Sequence, residues 1–123
     1  MKRALLALLL LPLLSACEGG RDTGTPTLGL QGNPARGQRL IRQYNCGSCH
    51  TIPGVYGAHG EVAPPLYWFS RRSFIAGELP NTPANLQRWL LDPPAVEPGT
   101  AMPRLGLKPD EARDIAAYLS TLR

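Results

Sequence analysis

The chain has 123 residues, of which 43% are hydrophobic and 18% charged, with 13 lysines and arginines against 9 aspartates and glutamates. That length limits it to one small domain. The formal net charge of +4 is a slight excess that sits partly at the extreme N-terminus, so nucleic acid is not an expected partner.

Lys2 and Arg3 open the chain, and the eleven residues from Ala4 to Leu14 are an almost unbroken leucine-rich run. The run is too short to span a bilayer as a mature helix and fits a secretory leader covering residues 1–16. It ends Leu14-Ser15-Ala16-Cys17, which resembles the lipobox of bacterial lipoproteins, where the cysteine is lipidated and becomes the new N-terminus. The alternative is ordinary cleavage that leaves Cys17 a free thiol. Lipidation accounts for the odd cysteine, since the other two belong to a motif of their own. Several acyl chains on one residue would hold the protein on a membrane face without a spanning helix. The expected location is therefore exported and lipid-anchored to a bacterial membrane, facing the periplasm or the cell exterior. Loss of Lys2 and Arg3 with the leader leaves 11 basic against 9 acidic residues. Residues 18–32 contain five glycines and no periodic apolar pattern, and with Cys17 they read as a lipidated tether over 17–32. Fifteen such residues reach about 20 Å on average and about 50 Å when stretched. An ordered arm lying on the domain is the other reading.

The folded domain is expected over 33–123. Asn33 is a good N-cap with Pro34 at the first helical position, and Gly37, Leu40, Ile41 and Tyr44 fall on one helical stripe. Arg36, Arg39 and Arg42, at spacing three, suggest a basic strip on that helix, although such strips are usually a solvated face. Next comes Cys46-Gly47-Ser48-Cys49-His50. C-x-x-C-H is the attachment pattern for c-type haem. Two thiols at this spacing can each close a thioether onto one of the two vinyl groups of a single porphyrin, with the following histidine as proximal iron ligand. The blander readings are a redox C-x-x-C pair or half of a zinc site. Zinc would need two more ligands, and beyond the motif the chain offers Cys17 and His59. A thioredoxin-like pair belongs in an α/β chain, whereas no run here alternates convincingly at period two, so strands are not expected. Two haem propionates would roughly cancel the remaining positive charge.

Thr82-Pro83 signals another helix carrying Leu86, Trp89 and Leu90, which Asp92-Pro93-Pro94 stops. Met102 is the one methionine left once Met1 departs with the leader, and it lies in the loop Pro98-Gly99-Thr100-Ala101-Met102-Pro103. A lone methionine is more often core filling, but a thioether in a proline-flanked loop of a C-x-x-C-H chain is a candidate sixth ligand. His59 competes from the sequence Gly57-Ala58-His59-Gly60, where an exposed loop histidine is the simpler reading. Pro109 opens the last helix, with Asp110 and Glu111 in its first turn and Ala112, Ile115, Ala116 and Leu119 as its stripe.

From Asn33 to Arg123 these motifs together resemble a class I, mono-haem cytochrome c: the glycine-bearing first helix, C-x-x-C-H, Ala63-Pro64-Pro65-Leu66, the methionine loop and Ile115-Ala116-Ala117-Tyr118-Leu119. The resemblance implies an all-α fold in which the N- and C-terminal helices cross around one covalently attached haem c. It implies that Gly37 lets the two helices approach near Tyr118 and that Pro64 offers its carbonyl to the free ring nitrogen of His50. It further implies that Arg71 or Arg72 faces a propionate, that Thr100 donates to one, and that Trp89 packs on the haem near Met102. A narrower likeness covers Ser70-Arg71-Arg72, the stretch from Ala76 to Pro83, and Trp89 to Pro93. It is similar to the cytochrome c domain fused to subunit II of some bacterial haem–copper oxidases, although this chain has no transmembrane hairpin and no copper-ligand cluster.

The expected function is one-electron transfer, with no enzyme activity and no small-molecule substrate. Cys46 and Cys49 attach the haem, and His50 and Met102 ligate the iron. The implied partners are the membrane surface through Cys17, a quinol-oxidising complex as donor and a terminal oxidase or reductase as acceptor. A fixed electron-relay subunit of a larger complex is the alternative. A haem enzyme or gas sensor would need an open sixth position and a distal residue, for which His59 is the available histidine.

Overall fold

The computed structural model describes residues 32–123. The expected leader, the lipidated Cys17 and the tether up to residue 31 lie outside the described residues.

Helix α1 (Pro34–Gln43) begins where the Asn33 side chain accepts from the Arg36 amide at 2.9 Å, and it buries Gly37, Leu40 and Ile41. The last helix, α4 (Pro109–Leu119), buries Ala112, Ile115, Ala116 and Leu119. The two cross in close contact because Gly37 has no side chain. A Cβ there would stand 2.0 Å from the Asp114 carbonyl oxygen and 3.0 Å from the Ile115 amide nitrogen. The crossing thus falls one turn before Tyr118, the position the resemblance implied. The Tyr118 hydroxyl donates to the Pro53 carbonyl at 2.6 Å, with the Gln38 side chain of α1 beside it.

Polar groups lock the same crossing. Arg36 reaches from α1 to Asp114 at 2.6 Å and Asp110 at 2.9 Å, while the Asn33 amide donates to Asp114 at 2.8 Å. Arg36 is therefore an inter-helix tie, and the basic strip suggested for α1 loses one of its three members. Tyr44, at the end of α1, donates to Glu111 at 2.8 Å.

Between these helices, α2 (Pro83–Leu91) starts at the Thr82 cap and packs Leu86, Trp89 and Leu90 toward α4. Asp92 ends α2 and then caps a short α3 (Pro93–Val96), its carboxylate accepting from the Ala95 amide at 3.3 Å. Asp92-Pro93-Pro94 stops α2 as the sequence predicts, and the difference is that a new helix opens there. Proline also suits the first turn of a new helix, where its missing N–H is not needed. A second difference is a small antiparallel hairpin, β1 (Phe74–Ile75) with β2 (Leu79–Pro80), pairing Ile75 with Leu79. Its turn carries positive φ at Ala76 (52°) and Gly77 (79°), and the Glu78 amide donates to the Ile75 carbonyl at 3.0 Å. Two-residue strands are too short to show a period, so the fold remains all-α in architecture.

Candidate functional site

The motif sits on a single 3-10 turn, Cys46–Ser48, entered through Asn45 in the left-handed region at φ 55°. The amides of Cys49 and His50 both donate to the Cys46 carbonyl, at 3.3 and 3.0 Å, so one turn gathers both thiols and the imidazole. The following loop folds back over the motif. The Gly60 amide donates to the Gly47 carbonyl at 3.0 Å, the Thr51 hydroxyl to the Gly60 carbonyl at 3.0 Å, and the Ala63 amide to the Cys49 carbonyl at 2.9 Å. This approach needs glycine at position 60, where a Cβ would lie 2.5 Å from the backbone of Ser48 and Cys49.

His50 Nδ1 lies 2.7 Å from the Pro64 carbonyl oxygen. A carbonyl only accepts, so Nδ1 carries the proton and Nε2 keeps its lone pair for a metal. The two thiols are unpaired and half-buried, and burial pushes the Cys46 thiol up, with the neighbouring Cys49 adding to the rise and a backbone hydrogen bond opposing it. Among the described residues no group of three or more His, Cys, Asp or Glu side chains could hold a metal ion.

Met102 is half-buried against the core, and its amide donates to the Thr100 hydroxyl oxygen at 3.1 Å. That bond pins the methionine loop and leaves the Thr100 hydroxyl hydrogen free to donate. Trp89 is buried on α2. His59 is exposed, bridged through backbone to Thr51.

The two arginines differ. Arg71 is exposed at the end of the 3-10 turn Phe69–Arg71. Arg72 is half-buried, with Nη2 donating to the Pro65 carbonyl and, at 3.3 Å, to the Tyr67 carbonyl, and its guanidinium lies 5.4 Å from the centre of the Phe69 ring. Asn81 and Ser70, which lie in the segments of the narrower likeness but carry no role readable from sequence, complete this region. Asn81 Nδ2 donates to the carbonyls of Phe69 and Arg72, both at 3.0 Å, and the Ser70 hydroxyl donates to the Leu122 carbonyl at 2.9 Å. Each side chain serves a distant or irregular backbone carbonyl, for which a sequence carries no periodic signal.

Two unpaired thiols three residues apart, an imidazole with Nε2 available and a half-buried methionine in a loop whose backbone is tied through Thr100 are residues that fit haem c. Half-buried Leu66, Leu79 and Leu105 add apolar surface at the border of the core. No helix among the described residues is long and apolar enough to cross a membrane.

Comparison with known proteins agrees with this chemistry. The family model for cytochrome c matches residues 34–123. Cytochrome c2 of Rhodomicrobium vannielii is 32% identical over 102 residues, covering 73% of this chain and 79% of that protein. Cytochrome c oxidase subunit 2 of Alkalihalophilus pseudofirmus is 30% identical over 89 residues, covering 72% of this chain and 25% of that protein. The corresponding subunit of a Bacillus species is 38% identical over 70 residues, covering 55% of this chain and 20% of that protein. The chain thus spans about a quarter or less of the oxidase subunits it matches. With the attachment motif, the helix crossing and the family match in agreement, the chain belongs to the cytochrome c family, has the class I fold and binds haem c covalently through Cys46 and Cys49.

Proposed function

We propose that this electron carrier is a membrane-tethered cytochrome c working between a quinol-oxidising complex and a terminal oxidase, with His50 and Met102 as the axial ligands. The observation that supports the ligand assignment is that the His50 ring is oriented through Pro64 and the Met102 backbone is tied through Thr100. Haem c supplies a one-electron iron couple, and a thioether ligand raises its reduction potential relative to a second histidine. Pro64 fixes the tautomer and ring orientation of His50, and Thr100 fixes the backbone of Met102 while keeping a proton to donate to a propionate. Trp89 supplies apolar packing from α2, and Arg71 or Arg72 supplies a cation for a propionate.

With both axial positions filled, the protein needs no small-molecule substrate. Its work is docking, transient and of modest area. Lipid on Cys17 would confine the domain, residues 33–123, to the membrane surface and raise its effective concentration near membrane complexes. Similarity to oxidase subunits supports an oxidase as acceptor. The same similarity favours one second reading, a fixed relay subunit, since the matched region is a segment of a much longer chain. Co-purification with a membrane complex after mild detergent extraction separates the two.

The optical spectrum of the haem-loaded protein tests the ligands. A low-spin spectrum with the weak far-red thioether-to-iron band, lost in Met102→Ala, and no change with carbon monoxide is expected. A high-spin spectrum or ready carbon monoxide binding would move a haem enzyme or sensor to first place. Cys17→Ser is expected to shift the protein from the membrane fraction to the soluble fraction, and retention on the membrane would refute the lipid anchor.

A further inference from the structure

We propose that Arg72 is a positioning residue for His50: its guanidinium holds the Pro64–Tyr67 backbone so that the Pro64 carbonyl stays on the imidazole Nδ1–H. The inference rests on His50 as the proximal ligand and goes beyond that assignment.

The stretch after Ala63 has an unusual difficulty. Pro64 and Pro65 have no N–H to offer, so the peptide that presents the histidine's acceptor cannot be held by its own amides. The flanking amides secure its ends, Ala63 donating to the Cys49 carbonyl at 2.9 Å and Leu66 to the Thr51 carbonyl at 2.8 Å. Between them two carbonyls must be placed. Pro64 accepts from His50 at 2.7 Å, and Pro65 accepts from Arg72. Arg72 Nη2 also reaches the Tyr67 carbonyl at 3.3 Å, so one nitrogen spans the segment.

Arg72 can act as a strut because it is held at its own end. Its carbonyl accepts from Asn81 Nδ2 at 3.0 Å and its amide donates to the Phe69 carbonyl at 3.2 Å. Ser70, two residues earlier, is tied to the Leu122 carbonyl through both amide and hydroxyl, at 3.1 and 2.9 Å. The guanidinium rests over buried Phe69. The flat guanidinium seated over Phe69 fixes the direction of Nη2 toward both carbonyls, which a lysine ammonium on a flexible stem does not reproduce. The acceptor of a ligating histidine sets ring orientation and ligand basicity, so holding Pro64 acts on the iron through His50.

The test is hydrogen exchange of the His50 ring Nδ1–H, followed by NMR on the reduced, haem-loaded full mature chain. Arg72→Gln and Arg72→Lys should each accelerate exchange by about tenfold, the worth of one lost hydrogen bond. A role confined to positive charge predicts that the lysine variant exchanges at the unaltered rate, and that result overturns the strut, as does an unaltered rate in both variants. If either variant loses its native far-UV circular dichroism, the unaltered protein decides. Resolved, slowly exchanging Arg72 Nη2 protons support the strut, and fully averaged ones overturn it. The spectrum of the unaltered protein tests the ligand separately: a high-spin iron would sink His50–Met102 ligation, while the exchange comparison would still decide whether Arg72 holds Pro64.

Discussion

Glu111 is buried but stays ionised, because its Oε2 accepts from the Lys108 amide and from the Tyr44 hydroxyl, both at 2.8 Å. The Lys108 amide first, and Tyr44 second, hold its carboxyl below the usual carboxylate range, and Arg36 does the same for Asp110. A carboxyl lowered on folding stabilises the native state above its unfolded value of about 4.3, and that contribution disappears as pH falls through the folded pKa. Glu111→Gln should therefore lower the melting temperature at pH 7, and the gap to the unaltered protein should close on acidification below about pH 4. Thermal melts across pH check this, and a gap that persists in acid would show that packing, not charge, is at stake. At Ala76 the backbone adopts a positive φ of 52°, which an L side chain resists and glycine accepts. Ala76→Gly is expected to raise stability by about 0.5–1 kcal/mol in denaturant unfolding, despite the extra freedom glycine brings to the unfolded chain. These environments arise from partners that local spacing does not announce.

At the scale of elements, the α1–α4 crossing carries the architecture. A methyl group at position 37 would overlap the Asp114 carbonyl backbone, which cannot rotate away as a side chain would. Gly37→Ala should cost about 3 kcal/mol by urea unfolding, through forced separation of the two helices. A cost below about 1 kcal/mol would mean that the crossing yields more easily than close packing suggests. The three longer helices were legible because each carries an apolar stripe and opens with proline at its first turn, two of them behind a cap side chain. The four-residue α3 and the two-residue strands were not, since neither is long enough to complete a period.

For the whole molecule, a chain of this size has a small core in which Ile41, Leu86 and Ile115 are among the most completely buried side chains. Small domains commonly need a covalent or cofactor staple. The Cys46→Ser, Cys49→Ser double variant should melt at least about 10 °C lower than the haem-loaded protein, equivalent to about 2 kcal/mol in a domain this small. Circular dichroism melts of the two proteins check it, and equal melting temperatures would show that the polypeptide core suffices alone.

The sequence by itself determined the attachment motif, the family and the three longer helices, because each is written in residues a few positions apart. Thiol spacing, cap chemistry and apolar period are local properties. Tertiary structure decided the rest. Asn33 and Asp114 meet across 81 positions, Arg36 and Asp114 across 78, and Tyr118 and Pro53 across 65. Such pairings depend on where the helices cross, so Arg36 could be read from sequence as part of a solvated strip. Arg72 shows the same limit at short range. Its backbone acceptors are only seven and five positions away, yet carbonyls have no letter in the sequence, and only the folded loop brings them to one guanidinium.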